Sequence, residues 1–223
     1  WNSLWARRLQ QETANNIDLT FRKFKGNFGF TANLFYNDIN DYYHQQNTGY
    51  VFDEHTHELV KDDHEGHEEE HEDALKVYQF NTEDAKLYGF EFDSHYQINN
   101  NMMVKVFADS ITAKLDDDSY IPRIPANKVG TSFELQNQNW DFDMTVTHHL
   151  SQDKLAQYET KTDAYTLVDF GFSYYLEALG TDSTVFIRAN NLTDELGFVH
   201  NSFIKDQAPL PGRNFTLGIR GYF

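Results

Sequence analysis

The chain has 223 residues, a formal net charge of −17 and no cysteine. The lack of cysteine excludes disulfides, thiolate metal sites and cysteine nucleophiles, and the negative charge argues against a nucleic-acid partner because few cations could neutralise phosphates. Aromatic residues make up 16% of the chain, which favours strands over helices, and no apolar run approaches the roughly 18 residues of a membrane-spanning helix.

Apolar and polar residues alternate along most of the chain. Near the beginning, Ile17, Leu19 and Phe21 are separated by polar residues. One apolar and one polar face is typical of a half-buried strand, and helical spacing is not sustained anywhere. The sequence therefore predicts an all-β, antiparallel protein. The nine predicted strands are 17–22, 28–36, 88–98, 102–108, 129–135, 140–146, 170–174, 185–189 and 215–223.

Short and long connections alternate between these strands. Short turns are predicted at 25–27, 99–101, 137–139 and 177–182, and long polar connections at 44–83, 114–125, 151–163 and 195–213. A transmembrane barrel has short periplasmic turns and long extracellular loops, whereas a soluble β-sandwich, the alternative, has no reason for this arrangement. Because single-chain bacterial barrels have even strand numbers, nine strands indicate the C-terminal part of a larger barrel, here residues 1–223.

The long connection at 44–83 contains the most unusual composition. Residues 53–73 hold five histidines, eleven carboxylates and one lysine, a charge of 1 − 11 = −10. A packed core cannot hold so many like charges, so the segment is solvated or neutralised by a cation. Imidazole and carboxylate are ligands of zinc, with nickel and copper as competitors. The alternative is a solvated acidic loop in which the histidines are incidental.

Candidate metal ligands follow from spacing. His55 and His57 lie on one side of an extended chain, and His64, His67 and His71 would share a face if a helix formed. The remaining candidates are two carboxylates that could complete the shell and a pair two residues apart on a polar strand face: Asp63, Glu68, Asp93 and His95. The strand-face pair is a candidate for receiving the ion after the loop has captured it. Other polar-face candidates for that step are Asp141, Asp143 and His149.

Five motifs resemble those of TonB-dependent outer-membrane receptors. NNLTDE (190–195) resembles the turn after the penultimate strand, and PGR (211–213) the entry to a final strand with a terminal aromatic residue. The others are LYGFEFD (87–93), RIPANKVG (123–130) and LFYNDINDY (34–42). The resemblance implies the C-terminal part, about nine strands, of a 22-strand-type barrel. Residues 53–73, which we call the His-rich segment, resemble the histidine-rich loops of the zinc-uptake, ZnuD-like branch.

The resemblance also implies a location and partners. We expect a receptor in the outer membrane of a Gram-negative bacterium, in contact with lipid, that takes up zinc or another divalent ion and is driven by the TonB complex. TonB would act through an N-terminal region absent from this sequence. An iron-siderophore or haem receptor and a soluble metal-binding sandwich are alternatives. No zinc-protease helix, nucleophile elbow or phosphate loop is present, so we do not expect an enzyme.

Overall fold

The structure is a computed structural model that describes residues 11–53, 56–61, 75–178 and 181–222. The regular secondary structure in these residues is β-strand throughout. None of the described residues forms a helix long and apolar enough to span a membrane. The ten strands are β1 (Thr13–Lys23), β2 (Phe28–Asp53), β3 (Glu58–Lys61), β4 (Leu75–Asn99), β5 (Met102–Leu115), β6 (Lys128–Gln136), β7 (Trp140–His149), β8 (Tyr165–Ala178), β9 (Thr181–Asn190) and β10 (Asn214–Tyr222).

All ten strands belong to one antiparallel sheet in the order β1-β2-β4-β5-β6-β7-β8-β9-β10, and β3 pairs with the last four residues of β2. This arrangement confirms the predicted all-β, antiparallel architecture. The described residues of all nine predicted segments lie in strands, and Phe223, the last residue of the ninth, is outside the described residues. The described strands form a single sheet rather than the two stacked sheets of the sandwich alternative. The tenth strand, β3, lies inside the stretch predicted as one long loop.

Strands β2 and β4 extend further than their alternation indicated. They continue into the stretch 44–83, where β2 ends at Asp53 and β4 begins at Leu75. Their pairing persists to Phe52 and Leu75, with register shifts on the way. Strand β4 begins ten residues before Ala85, the residue that pairs with the last residue of β5. The β2–β4 hairpin therefore runs beyond the end of its neighbour, and the His-rich segment joins the two strands at that far end.

The connections divide between the two ends of the sheet. Residues 24–27, 100–101, 137–139 and 179–180 join strands at one end, which we call the short-turn end. Residues 116–127, 150–164 and 191–213, together with the β2–β4 connection, lie at the opposite, long-loop end. Because consecutive strands are antiparallel, the alternation of short and long connections in the sequence places all long connections together. This confirms the prediction.

The two faces of the sheet differ in polarity. On the apolar face of β10, Phe215, Leu217 and Ile219 are 63%, 77% and 74% exposed. On the polar face, Arg188 Nη1 lies 2.6 Å from Asp143 Oδ1, and Lys105 Nζ lies 2.5 Å from Glu134 Oε1. Extended apolar exposure is unusual for a soluble surface, whereas an apolar outside and a polar inside are what a membrane barrel requires.

A small apolar cluster anchors the long-loop end. Ala85 and Ala113 on neighbouring strands, Leu115 at the end of β5 and Ile121 in the following connection are all buried. The Ile121 N–H donates to the carbonyl oxygen of Ala113 at 3.2 Å. This contact folds the connection after β5 back onto the sheet, which brings residues 117–123 towards the polar face.

The NNLTDE segment forms the turn that its sequence predicts. Asn191, with φ of +49°, receives the Glu195 N–H on its Oδ1 at 2.8 Å and donates from Nδ2 to the Glu195 carbonyl oxygen at 2.8 Å. Asp194 Oδ1 accepts the backbone N–H of Arg213 at 2.8 Å. Asparagine tolerates the left-handed conformation and replaces backbone hydrogen bonds with side-chain ones. The motif therefore ties both ends of the last long connection together.

Candidate functional site

The long-loop end encloses a cavity of about 170 Å³. It lies between the far ends of β2 and β4 and the three long connections. The cavity wall includes His44, Tyr78, Arg123, Glu159, His200 and Phe203, which come from five different segments of the chain. A cavity of this size can hold a few water molecules or a hydrated ion but is smaller than the roughly 300–1,000 Å³ of pockets for drug-sized ligands.

Arg123 joins three walls of the cavity. Its guanidinium Cζ lies 4.1 Å from the centroid of the Phe203 ring and 5.8 Å from that of Tyr78, and Nη2 donates to Gln45 Oε1 at 3.1 Å. A guanidinium over an aromatic face is attracted by the ring electrons. Arg123 therefore connects the β5–β6 and β9–β10 connections to the β2–β4 hairpin.

The carboxylate of Glu159 is held by backbone donors. Its Oε1 accepts the N–H of Arg123 at 2.6 Å, and its Oε2 accepts the N–H of Ala156 at 2.9 Å. Burial by itself would raise the pKa of this carboxyl, but the facing His200 ring and the two N–H donors hold its pKa below the usual value. The group is therefore ionised at neutral pH, and its orientation is fixed.

His200 faces this carboxylate from the β9–β10 connection. Its side chain is 1% exposed, and its Nδ1 lies 2.8 Å from Thr162 Oγ1. Its Nε2 lies 3.8 Å from Glu159 Oε2, beyond hydrogen-bonding distance, and this buried nitrogen has no hydrogen-bond partner within the described part of the chain. A buried polar atom without a partner is costly and is therefore unusual in folded proteins.

His44 lines the same cavity and also has a buried ring nitrogen. The residue is 6% exposed, and its ring stacks on that of Tyr42 with centroids 6.3 Å apart. Counting the described residues alone, its Nδ1 has no hydrogen-bond partner. His44 belongs to β2 and His200 to the last long connection. Folding thus brings two histidines 156 positions apart in sequence to one cavity.

Of the loop histidines, only His57 is described. It lies in a turn between β2 and β3 with φ of +56°, and its N–H donates to the carbonyl oxygen of Asp53 at 2.9 Å. Its ring centroid is 6.2 Å from that of Phe52. The other six predicted loop ligands fall outside the described residues and remain predictions: His55, Asp63, His64, His67, Glu68 and His71.

Asp93 and His95 lie side by side on the polar face of β4, as predicted. His95 pairs in register with Lys105 on β5 and with Gly29 on β2. Its ring covers Gly29, where an added Cβ would lie 2.4 Å from His95 Cε1. The neighbouring ammonium of Lys105 disfavours a bound cation. Within the described ranges, no group of three or more histidines and carboxylates is placed to hold a metal ion.

The remaining polar-face candidates already have side-chain partners. Asp143 pairs with Arg188 at 2.6 Å across Gly171, whose missing side chain leaves room for the pair. Asp141 accepts a hydrogen bond from the Tyr175 hydroxyl. The ring of His149 stacks on that of Tyr165 with centroids 4.5 Å apart. These contacts assign the three residues to the lining of the polar face.

Sequence reasoning missed His44, Glu159 and His200. His44 lies within β2, well before its end at Asp53, whereas Glu159 and His200 lie within long connections. Their proximity comes from the packing of different connections against one another. No periodicity in the sequence could have revealed it.

Comparisons with known proteins agree with this architecture. A family model described as "TonB dependent receptor-like, beta-barrel" matches residues 3–192. The structure resembles the copper transporter OprC, with a TM-score of 0.74 and 15% identity over 97% of this chain and 32% of that chain. It also resembles the FrpB iron transporter from Neisseria meningitidis, with a TM-score of 0.67 and 15% identity over 96% of this chain and 32% of that chain.

A third solved structure with the same fold is the siderophore receptor PirA from Acinetobacter baumannii, with a TM-score of 0.63 and 14% identity over 95% of this chain and 32% of that chain. The chain therefore spans about a third of the length of these three structures. At identities of 14–15%, the likeness concerns the fold.

Proposed function

This chain belongs to the TonB-dependent receptor-like β-barrel family, and on that premise we propose that it is part of an outer-membrane receptor that takes up a divalent metal ion, zinc in the first place. The observation that carries the proposal is the composition of residues 53–73, with five histidines and eleven carboxylates. The segment joins β2 to β4 at the long-loop end. In a barrel with short periplasmic turns, that end is extracellular.

Capture proceeds in two physical steps. First, the segment's charge of −10, from eleven carboxylates and one lysine, raises the local concentration of cations and speeds their encounter with the receptor. Second, imidazole nitrogen and carboxylate oxygen bind zinc at about 2.0–2.2 Å. The segment is a collecting surface rather than a catalyst, because its five histidines and eleven carboxylates offer many alternative ligands for a cation.

The shape of the β2–β4 hairpin supports this role. Because the hairpin continues past the end of β5 and contributes Lys76 and Tyr78 to the cavity wall, the His-rich segment is attached beside the cavity. An ion released beside the cavity would then pass to the polar face of the sheet. The family relationship supports transport through the barrel driven by the TonB complex of the inner membrane, acting on an N-terminal region outside this sequence.

The main alternative within the family is uptake of a siderophore or haem. Two similar structures are named as an iron transporter and a siderophore receptor, which describes those proteins. The described part of the cavity, at about 170 Å³, is small for an organic chelate. Zinc–haem competition followed by haem absorbance separates the two functions: tight haem binding that zinc does not displace would favour the alternative.

The proposal is tested with the full-length receptor in detergent and three variants. One lacks residues 53–73. A second, the loop-His variant, has the five histidines of this segment changed to asparagine. A third, the loop-acid variant, has all its carboxylates except Asp53 changed to amides, since Asp53 Oδ1 accepts the N–H of Thr56 at 3.2 Å. Zinc and calcium binding are measured by calorimetry.

We expect the deletion and the loop-His variant to lose zinc affinity by at least about tenfold, while barrel assembly is unchanged. The loop-acid variant should lose affinity for zinc and calcium alike and bind zinc with a lower association rate at low salt. Equal zinc binding by the wild type, the deletion and the loop-His variant would refute a role for the segment.

A further inference from the structure

Outside the His-rich segment, the cavity contains one imidazole and one carboxylate that face each other without a hydrogen bond. His200 Nε2 and Glu159 Oε2 are 3.8 Å apart, and their side chains are 1% and 15% exposed. In a direct hydrogen bond between a histidine and a carboxylate, the nitrogen and the oxygen are about 2.7–2.9 Å apart. The observed gap leaves the nitrogen unpartnered within the part of the chain that the structure describes.

The distance between His200 Nε2 and Glu159 Oε2 is close to the one expected if both atoms bound the same metal ion. Bonds of about 2.1 Å from nitrogen and oxygen to a shared ion would span 3.8 Å at an angle of about 130°. Closing that angle to a tetrahedral value requires the two atoms to approach by only about 0.4 Å. The two side chains therefore need small movements, without a change in the course of the backbone.

Hydrogen bonds from neighbouring residues hold His200 and Glu159 in the way that metal ligands are usually held. Metal-binding histidines usually donate the N–H of the other ring nitrogen to an oxygen, which leaves the ligating nitrogen with a free lone pair. Thr162 Oγ1 is placed to accept that proton from His200 Nδ1 at 2.8 Å. The Glu159 carboxylate is held by the N–H groups of Arg123 and Ala156, and Oε2 accepts one of these bonds, which leaves a second lone pair on Oε2.

We propose that His200 Nε2 and Glu159 Oε2 bind one borderline divalent cation such as zinc, copper or nickel at a site separate from the His-rich segment. Water fills the remaining coordination positions, since no third histidine or carboxylate among the described residues is placed to join these two. The inference rests on the proposed function for the class of ion but uses different residues. Two protein ligands make a site that exchanges its ion readily, as transfer towards the polar face requires.

The charges around the cavity limit which ions the site accepts. The acidic side chains on the cavity wall are Asp117, Glu159 and Asp206, and the basic ones are Lys76, Arg123 and Lys205. With equal numbers of each sign, the cavity does not attract cations by net charge, in contrast to the His-rich segment. Affinity must come from the imidazole nitrogen, which suits zinc, copper and nickel, whereas calcium and magnesium need several oxygen ligands. Calcium and magnesium should therefore not compete.

The test uses the full-length receptor carrying the loop-His substitutions, so that the segment no longer masks the second site. Zinc binding is titrated in this background and after adding His200→Gln, Glu159→Gln or Thr162→Val. The matched control is His148→Gln, because His148 is exposed and its Nδ1 also lies 2.9 Å from a threonine hydroxyl, that of Thr166. Copper(II) bound in the same background is examined by electron paramagnetic resonance for coupling to imidazole nitrogen.

We expect the loop-His receptor to retain one zinc site that millimolar calcium does not displace. His200→Gln and Glu159→Gln should each weaken it more than tenfold, Thr162→Val by about tenfold through loss of the oriented imidazole, and His148→Gln not at all. The copper spectrum should show nitrogen coupling that His200→Gln removes. If His200→Gln does not assemble, Glu159→Gln, Thr162→Val and the copper spectrum of the parent decide.

Each failure has a distinct meaning. Absence of any zinc site in the loop-His receptor, a site insensitive to the cavity variants, or a copper spectrum without nitrogen coupling would overturn this inference while leaving the role of the segment intact. Conversely, if the loop-His substitutions change nothing and His200→Gln abolishes binding, the cavity site stands and the proposed capture by the segment is wrong.

Discussion

Replacing Gly89 with alanine should disrupt the pairing of β4 with β5. Gly89 lies in the LYGFEFD motif and pairs in register with Ile111 on β5 and Phe35 on β2. A Cβ at this position would lie 1.9 Å from the carbonyl oxygen of Ser110 and 2.8 Å from the Phe35 ring. The first contact is with backbone, which cannot rotate away. Glycine is therefore required here because the two strands approach closely.

The loss of stability caused by alanine at Gly89 follows from the distance by which β4 and β5 must move apart. Raising the Cβ–oxygen distance from 1.9 Å to about 3.0 Å moves the two strands apart by roughly 1 Å, which breaks about two ladder hydrogen bonds at about 1 kcal/mol each. Overpacking adds about 1–3 kcal/mol, and the lower backbone entropy of unfolded alanine returns about 0.5–1 kcal/mol. The net loss of unfolding free energy is therefore about 2–4 kcal/mol.

Two matched glycine variants make the test specific. At Gly26, which has φ of +87° and open space around it, alanine costs only backbone strain, about 1–2 kcal/mol. At Gly218, the added Cβ meets the end of the Phe186 ring at 2.3 Å, and this ring can change rotamer. Urea unfolding of the full-length receptor in lipid vesicles, followed by tryptophan fluorescence, ranks the three. A loss at Gly89 no greater than that at Gly218 would refute the backbone-clash reasoning.

Two further predictions concern the long-loop end. Ile121→Ala removes three carbon atoms from a site that is 2% exposed. It should lower the stability of the 116–127 connection by about 2–3 kcal/mol, which amide exchange would show as faster exchange in that connection. Ile204→Ala, at a site that is 56% exposed, is the control, and equal exchange in both variants would contradict the role of the buried cluster. The zinc affinity of the His-rich segment should fall at least about tenfold between pH 7.5 and pH 5.5, because histidine must be neutral to bind zinc and its ordinary pKa is about 6.5. Calorimetry at the two pH values measures this change. Unchanged affinity would show that carboxylates alone bind the ion.

The sequence alone predicted the architecture of this chain because the alternation of apolar and polar residues within a strand is a local property. Alternation in stretches such as Phe215, Leu217 and Ile219 requires one apolar and one polar face whatever the neighbouring strands are. Alternating short and long connections predicted that all long connections lie at one end, since successive strands are antiparallel. The Asn191 turn was equally predictable, because the two hydrogen bonds between Asn191 and Glu195 span only four positions of the chain.

The tertiary structure alone decided which side chains meet at the cavity. His44, Glu159 and His200 come from strand β2 and two different long connections, and their proximity depends on how those connections fold over the sheet, where Arg123 contacts Glu159 and Phe203. The ends of β2 and β4 likewise depend on cross-strand pairing that continues where the alternation weakens. Such contacts join residues far apart in sequence, so their free energy exists only once the sheet has formed, and no spacing along the chain records it.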